Sequence, residues 1–326
     1  MVEERPATAL ILGAGFSAAA GLPLASGLFD TSVLVASAGA RKRFARVRDS
    51  FQRWKATRVD NGPEQYLGAL YSGEVRGPPW QWAVEFVGAT LATPQGKDWP
   101  IASNPRYAGR ITTPVRTVAH DQFWSHMLAY ADLQAVVTFN YDLFIERGLR
   151  HRQMHRGRPG IYYGGLPRPQ VLRGLAKPFT VQRPERSITL EGTIPLFKLH
   201  GSLNWSFERG SLEMYQDARP AFRHGGSAAI IPPLPEKEVP RWLTNTWREA
   251  EDRLRNSRTW VVCGYSLPPY DHAAAELLGR AATSLNRLFV LDPYSAQLRE
   301  RWAQIAPHAQ LQCLQGIPEA LGHRFL

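Results

Sequence analysis

The chain has 326 residues, 44% of them apolar, and a formal net charge of +11. It can bury a sizeable core, either as one large α/β domain or as a domain with an inserted lobe. Its two cysteines cannot form a four-cysteine zinc site, and no apolar run approaches the roughly 18 to 20 residues of a membrane span. Because the first residues also lack a signal-peptide pattern, we expect a cytoplasmic protein with reduced thiols and no metal.

The positive charge is concentrated in two stretches. Residues 41–58 hold eight Arg or Lys and one acid, and residues 147–186 hold ten and one acid. Such clusters suit nucleic acid, an acidic protein face or a polyanionic small molecule. A solvated surface is the plainer alternative, since no aromatic stacking platform or known nucleic-acid motif accompanies the charge. The role of both stretches stays open.

The chain begins with a predicted strand, Ala7 to Leu12, that runs into a glycine turn and a helix start at residues 13–23. This arrangement is typical of phosphate binding, because backbone amides and a helix N-terminus can meet a pyrophosphate. Ala18 replaces the third glycine of the usual fingerprint, and a tight structural turn is the alternative. Residues 31–130 show helical spacing broken by Gly and Pro, which predicts a mostly helical inserted lobe. We interpret His120 and His126 within it as packing or surface residues.

A second predicted strand, Ala135 to Thr138, reads as buried on both faces, ends at Asn140 and precedes a helix over residues 143–149. In open α/β sheets ligands lie at the carboxyl ends of strands, so Asn140 and Asp142 are expected to face a crevice. The alternative is that one of them caps the following helix. Residues 151–194 then form a basic excursion rich in Arg, Gly and Pro, with short extended pieces such as Ile161 to Tyr163 and Ser187 to Leu190.

Three later strands end in polar residues or glycine. One begins at Ile194 and ends at His200, which is either a satisfied structural histidine or part of the same site as Asn140. The next spans Trp260 to Cys263 and ends in a glycine turn. The last ends at Asp292, which suits a ribose hydroxyl or, with Pro293 following, a helix cap. An amphipathic helix is predicted over Val239 to Leu254 and another over Asp271 to Thr283.

These elements predict an α/β fold, with a Rossmann-like parallel sheet flanked by helices, an inserted mostly helical lobe and no zinc module. The chain is expected to be one domain over residues 1–326. Its core would comprise about 7–30 and 133–326, the helical insertion about 31–130, and the basic excursion about 151–194.

Five motifs in order resemble the sirtuins. They are Gly-Ala-Gly-x-Ser-x-x-x-Gly-x-Pro at 13–23, Thr-x-Asn-x-Asp at 138–142, His-Gly at 200–201, Gly-x-Ser-Leu at 264–267 and the strand-end Asp292. The Phe-Asn-Tyr-Asp and Lys-Leu-His-Gly-Ser-Leu-Asn-Trp runs most resemble the sirtuin-like branch of bacterial antiphage defence systems. The resemblance covers roughly residues 7–30 and 135–295.

The resemblance implies a role for each matching residue. NAD would be the substrate, His200 the general base, Asn140 the group that orients a water or the nicotinamide ribose, and Asp142 its brace. Asp292 would meet the adenosine ribose. The residues expected to hold the pyrophosphate or line the same cleft are Gly13, Ala14, Gly15, Ser17, Gly264 and Ser266. Breaking the nicotinamide–ribose bond builds an oxocarbenium ion, which suits a base and polar groups that place a nucleophile.

Two departures from deacylase sirtuins point to hydrolysis. Leu24-Ala25-Ser26 stands where deacylases have Asp-Phe-Arg, and the four-cysteine zinc module is missing from the sequence. The resemblance therefore implies an NAD glycohydrolase that depletes NAD as an antiphage effector. The alternatives are a protein deacylase or ADP-ribosyltransferase, and a non-catalytic nucleotide-sensing or nucleic-acid-binding subunit. Control of such an effector implies a homo-oligomer or a partner, either a hexameric ATPase or helicase or a nucleic-acid-guided protein.

Overall fold

A seven-stranded parallel sheet organises the computed structural model of the chain. The structure describes residues 5–30, 38–57, 62–92, 118–146, 148–149, 161–166, 171–173, 179–180, 194–208, 210–215, 218, 228–234 and 238–322. The strands are β1 (Ala7–Leu12), β2 (Asp132–Thr138), β3 (Ile161–Tyr163), β4 (Val171–Arg173), β5 (Phe179–Thr180), β6 (Ile194–Lys198), β7 (Gly201–Glu208), β8 (Ser211–Tyr215), β9 (Ala228–Ile230), β10 (Thr259–Cys263), β11 (Arg287–Leu291) and β12 (Gln310–Leu314).

The helices surround this sheet or pack beside it. They are α1 (Ala14–Ala18), α2 (Ala38–Ala56), α3 (Pro63–Tyr71), α4 (Trp80–Ala92), α5 (Val118–Tyr130), α6 (Thr244–Arg255), α7 (His272–Ala281), α8 (Ser295–Ile305) and α9 (Ile317–Gly322). Single 3₁₀ turns occur at Ala25–Gly27, Arg241–Leu243 and Ala282–Ser284. Residues 144–146 and 148–149 are also helical. The predicted helix from Val239 begins later, at Thr244, after the 3₁₀ turn that follows Pro240.

The order of the parallel sheet is β12-β11-β10-β1-β2-β6-β3. The chain leaves β1 to build one side with β2, β6 and β3, and later returns to add β10, β11 and β12 on the other side. The central strands β1 and β10 are buried along almost their whole length and are apolar apart from one threonine each, as expected for a parallel sheet covered on both faces. The predicted Rossmann-like fold is therefore confirmed. Its ligand crevice is expected beside β1, where the strand order reverses.

A second sheet, of order β5-β4-β8-β7-β9, was not predicted. Its strand β7 begins immediately after His200, at Gly201, which has φ of +82°. A Cβ at Gly201 would overlap the carbonyl oxygen of Ala229 on β9, so this corner between the two sheets requires glycine.

The apolar side chains form two cores. The larger lies around the parallel sheet and includes α5 through Phe123 and Trp124. The smaller joins α2, α3 and α4 to the second sheet, and Phe29 is stacked between Phe51 and Phe86 at centroid distances of 4.0 and 5.2 Å. Helices α2 to α4 fall within the predicted helical lobe. The predicted division of the chain into core, insertion and excursion stays a prediction.

Most of the basic excursion lies outside the described residues. Of the ten cations in residues 147–186, Arg173 alone belongs to the described residues, and Ser187 to Leu190 lie outside them. Both cysteines are free, and Cys263 is buried as predicted, whereas Cys313 is half-buried on the edge strand β12. Among the described residues, no helix is long and apolar enough to cross a membrane.

Candidate active site

The predicted site residues gather at the carboxyl ends of the parallel strands, where two glycine loops pack against each other. The amide of Gly13 donates to the Cys263 carbonyl at 3.0 Å, and that of Gly15 donates to the Gly264 carbonyl at 2.9 Å. A Cβ at Gly13 or Gly264 would overlap backbone atoms of the opposite loop, and Gly264 has φ of +64°. Gly13 and Gly264 are therefore needed for loop contact, and the amides of Gly13, Gly15 and Gly264 all make backbone hydrogen bonds within the fold. Ala14 between them is exposed.

Asn140 joins the end of β2 to the first glycine loop. Its Nδ2 donates to the Gly13 carbonyl at 2.7 Å and to Ser17 Oγ at 3.1 Å, and its side chain is buried. Its own amide donates to Thr138 Oγ1, which in turn donates to the Leu12 carbonyl. The strand thus ends at Thr138, two residues earlier than predicted, and its threonine hydroxyl holds the turn in which Asn140 lies.

Asp142 caps the helical segment that follows. Its Oδ1 accepts a hydrogen bond from the Phe144 amide at 2.8 Å, the alternative that the sequence left open. Burial raises the pKa of this carboxyl, while the positive charge of Lys198 and hydrogen bonds from Phe144 and Ser17 act in the opposite direction. The Ser17 hydroxyl therefore contacts both Asn140 and Asp142 and links two of the sequence motifs.

A small cavity of about 80 Å³ touches this cluster. Its polar side chains are those of Ser17, Asn140 and Asp142, and Ala14 lies at its edge. The remaining wall is apolar or aromatic and comprises Leu22, Pro23, Ala25, Leu28, Leu91, Phe139, Tyr141 and Pro233. The segment that replaces the deacylase Asp-Phe-Arg thus contributes Ala25 to the cavity wall. Such a cavity suits a small group with one polar end.

His200 lies two residues beyond the end of β6, the strand beside β2, so this strand also ends earlier than predicted. Thr138 on β2 pairs with Lys198 on β6, so Asn140 and His200 each follow this pair by two residues on adjacent strands. The His200 side chain is buried among aromatic rings, with the centroids of Phe139, Tyr141 and Trp247 at 5.3, 6.1 and 6.3 Å. The prediction that the two strands share one sheet is confirmed.

Asp271, which was not predicted as a site residue, faces His200. Its Oδ2 lies 3.6 Å from His200 Nε2 and accepts a hydrogen bond from the Tyr265 hydroxyl at 3.2 Å. The sequence signal was an aspartate at the start of a predicted helix, where a cap is the ordinary interpretation.

Lys198 and Glu146 form a buried ion pair beneath the site and were also missed. Lys198 Nζ donates to Glu146 Oε1 at 2.9 Å and to the backbone carbonyls of Tyr141 and Asp142. It therefore fixes the backbone of the turn that carries Asn140 and Asp142. A lysine within the apolar run of β6 was the available sequence signal, because a charge in a buried strand needs a partner.

The other predicted residues lie farther along the same edge. Gly264 donates its amide to the Leu291 carbonyl, which places Asp292 beside the second glycine loop. Asp292 is buried, and its Oδ1 accepts a hydrogen bond from the Tyr294 amide at 2.8 Å, as a capping residue does. Ser266 is exposed.

His120 supports the first glycine loop from α5. Its Nε2 lies 2.7 Å from the Phe16 carbonyl, to which it donates, and its ring meets Phe16 edge-on at 4.7 Å. Burial lowers the pKa of His120, against the opposing effects of this hydrogen bond and of Asp121. The prediction that His120 is a packing residue is confirmed. In the part of the chain that the structure describes, no group of three or more His, Cys, Asp or Glu side chains could hold a metal.

No protein-family model matches the chain, and no curated protein matches it. Solved structures with a similar fold carry Sir2 names. A Sir2 homologue mutant in complex with 2'-O-acetyl-ADP-ribose has 14% identity, covers 96% of this chain and 88% of its own, and has a TM-score of 0.49. Sir2Tm bound to a propionylated peptide has 14% identity, coverages of 98% and 91%, and a TM-score of 0.44. A Sir2 homologue in complex with NAD has 14% identity, coverages of 97% and 88%, and a TM-score of 0.43.

Proposed function

We propose that the protein is an NAD⁺ glycohydrolase that cleaves NAD to nicotinamide and ADP-ribose. The observation that carries this proposal is the convergence of separate sirtuin-like motifs on one edge of the sheet. Ser17 of the glycine loop contacts both Asn140 and Asp142, and His200 occupies the equivalent position on the adjacent strand. A parallel sheet with these groups at its carboxyl edge is the usual setting for a nucleotide.

The small cavity supports the part of the proposal that concerns the nicotinamide. Nicotinamide is a flat ring with one carboxamide, and the cavity combines apolar walls with the Ser17 hydroxyl, the Asn140 amide and the Asp142 carboxyl. A carboxamide both donates and accepts hydrogen bonds, so these groups suit it. Fixing the nicotinamide ring in the cavity favours cleavage of the nicotinamide–ribose bond. A bound substrate that is already oriented loses no further translational or rotational entropy on the way to the transition state.

His200 and Asn140 are the proposed catalytic groups. His200 would take a proton from a ribose hydroxyl or from water, and Asn140 would place the water that attacks the oxocarbenium ion. Since bond cleavage needs NAD and water alone, ADP-ribose is released free. Gly13, Gly15 and Gly264 shape the crevice, and Ala14, Ser17, Ser266 and Asp292 are the proposed contacts to the remainder of the substrate.

Incubation of the purified chain with NAD, followed by chromatography of the products, tests the proposal. We expect free nicotinamide and ADP-ribose from the parent, and losses of about 10²-fold or more in His200→Ala and Asn140→Ala. Asn286→Ala and His308→Ala are matched controls, because both residues are exposed and lie near the opposite ends of the strands. Equal activity in parent and His200→Ala would refute the assigned base. Product attached to protein would instead identify a deacylase or an ADP-ribosyltransferase.

A nucleic-acid-binding subunit is the second candidate, and α2 favours it. The cations Arg41, Lys42, Arg46 and Arg53 of this helix are exposed, and Asp49 is the one acid among its residues. Filter binding of double-stranded DNA at increasing salt tests this role, since phosphate contacts produce a steep salt dependence. Strong, salt-sensitive binding together with unchanged NAD would favour the subunit over the hydrolase.

We further propose, from the resemblance, that the hydrolase depletes NAD as an antiphage effector in the cytoplasm and is held inactive until infection. Such control requires a homo-oligomer or a partner, either a hexameric ATPase or helicase or a nucleic-acid-guided protein. Co-purification with the product of a neighbouring gene tests the partner. Light scattering of the purified chain tests the oligomer, and a monomer that fails to bind any neighbouring product would contradict both.

A further inference from the structure

Asp271 occupies the capping position of α7 without capping it. Aspartate at this position ordinarily accepts a hydrogen bond from an amide of the first turn, which stabilises the helix. The Asp271 side chain makes no such bond. Its Oδ2 instead accepts from the Tyr265 hydroxyl at 3.2 Å and lies 3.6 Å from His200 Nε2. The carboxylate is thus directed toward the candidate site at the expense of its own helix.

The surroundings of this pair exclude water. The side chains of His200 and Asp271 are 4% and 3% exposed, and Phe139 stacks on Tyr265 at 4.1 Å beside them. In such surroundings an ionised carboxylate interacts strongly with a nearby imidazole, because solvent does not screen the charges. A buried carboxylate also needs a partner to offset its lost hydration.

We infer that Asp271 is the positioning residue for His200, so that the two form a histidine–carboxylate pair. This inference rests on the proposed function for its catalytic meaning. When His200 takes a proton, the O–H bond of the ribose hydroxyl or water breaks and an N–H bond forms on the imidazole. The Asp271 carboxylate orients the ring and stabilises the imidazolium.

In the described part of the chain, the titratable groups near the pair include three phenols, a glutamate and the exposed His272 that follows Asp271. Burial, and next the charge of Asp271, raise the pKa of Tyr141 and of Tyr265 well above the usual value. Burial also raises the pKa of Tyr270, whose hydroxyl donates to Glu64 at 2.9 Å. These phenols are neutral near pH 7, so a titration between pH 5 and 8 in this cluster reports an imidazole, and its loss in His200→Gln assigns it to His200.

NMR titration of the histidine rings in the full-length protein tests the pair directly. The chain has nine histidines, and the signal that disappears in His200→Gln identifies the ring. We expect Asp271→Asn to move the His200 titration midpoint at least about one pH unit lower, because a facing negative charge is lost. Asp252→Asn, on the exposed face of α6, should leave the midpoint unchanged. A folded Asp271→Asn variant with an unchanged midpoint would overturn the inference.

A second measurement needs no variant at Asp271. In the parent protein the neutral His200 ring should carry its proton on Nε2, the atom that faces the carboxylate, which ring ¹⁵N shifts report. A proton on Nδ1 in the neutral ring would contradict the pair even if Asp271→Asn failed to fold.

Kinetics then separate this inference from the proposed function. If the parent cleaves NAD, Asp271→Asn should lower kcat at least about tenfold with little change in KM, and the acidic limb of the pH profile should move with the NMR midpoint. If the parent does not cleave NAD but the midpoint moves, the pair stands and the proposed function fails. A normal kcat and pH profile in Asp271→Asn would refute the positioning role.

Discussion

Removal of the Lys198 ammonium is expected to destabilise both the fold and the candidate site. The side chain is fully buried, and its ion pair with Glu146 is 2.9 Å long with a partner that is 2% exposed. Lys198→Met keeps the apolar stem and removes the charge. Glu146 then keeps a buried negative charge. Of the hydrogen bonds that the structure gives this carboxylate, the one from the Tyr163 hydroxyl, at 3.2 Å, remains. The substitution also removes the donor that holds the Tyr141 and Asp142 carbonyls.

The expected loss is about 3 to 5 kcal/mol in the free energy of unfolding, the range for removing one partner of a buried ion pair. Glu146→Leu should cost a similar amount, because it strands the ammonium. The double variant should cost clearly less than the sum of the two, since neither member of the ion pair is left without the other. Arg280→Met is the matched control. Arg280 also pairs with a glutamate, Glu251, but the arginine side chain is 55% exposed, so a loss under about 1 kcal/mol is expected.

Urea unfolding of the four variants and the parent supplies these free energies, provided that the slope with urea is unchanged. A Lys198→Met loss below about 1 kcal/mol would refute the reasoning, because it would mean that the Glu146 charge is relieved by solvent or protonation. Strict additivity in the double variant would refute it as well, since two groups in direct contact must couple.

Two other predictions concern the supports of the site. Gly201→Ala should lower the free energy of unfolding much more than Gly210→Ala. Both glycines have positive φ, but of the two only Gly201 would also place a Cβ against the facing strand. The difference between their urea midpoints therefore isolates the effect of this overlap. Equal losses would contradict this. Burial lowers the pKa of His120, so the unfolded chain binds its proton more readily, and stability is fully present above about pH 6.5 and is lost as pH falls toward the folded pKa. His120→Asn should flatten the pH dependence of the free energy of unfolding between pH 7.5 and 5.5. The expected change is about 1.4 kcal/mol for each unit by which the folded pKa lies below the unfolded pKa, and exposed His308→Asn should not produce it.

The strands that carry the site could be predicted from the sequence because each is a short apolar run that stops at a polar residue or a glycine. β1, β2, β6, β10 and β11 are of this kind, and in a parallel sheet such runs must end at one edge. That rule placed Asn140, His200, Gly264 and Asp292 together. Asp142 and Asp292 were each predicted to be either a helix cap or a ligand contact. The local sequence could not decide between the two roles, because both use the same residue type.

The remainder depends on contacts between distant segments. The second sheet consists of short strands with little periodicity, and β12 is an edge strand whose alternating exposure gives only a weak apolar signal. The pairing of Lys198 with Glu146, and of His200 with Asp271, is set by which strand lies beside which helix. Sequence could indicate that a charge in an apolar run needs a partner, but it could not name the partner.

The position of β1 in the sheet has a consequence for synthesis. This first strand is paired on one side with β2 and on the other with β10. The residues of β10, Thr259 to Cys263, leave the ribosome late. Gly264 and Asp271 follow that strand, so an emerging chain lacks both the second glycine loop and the carboxylate beside His200. A site assembled in this order stays incomplete until these late segments have been translated.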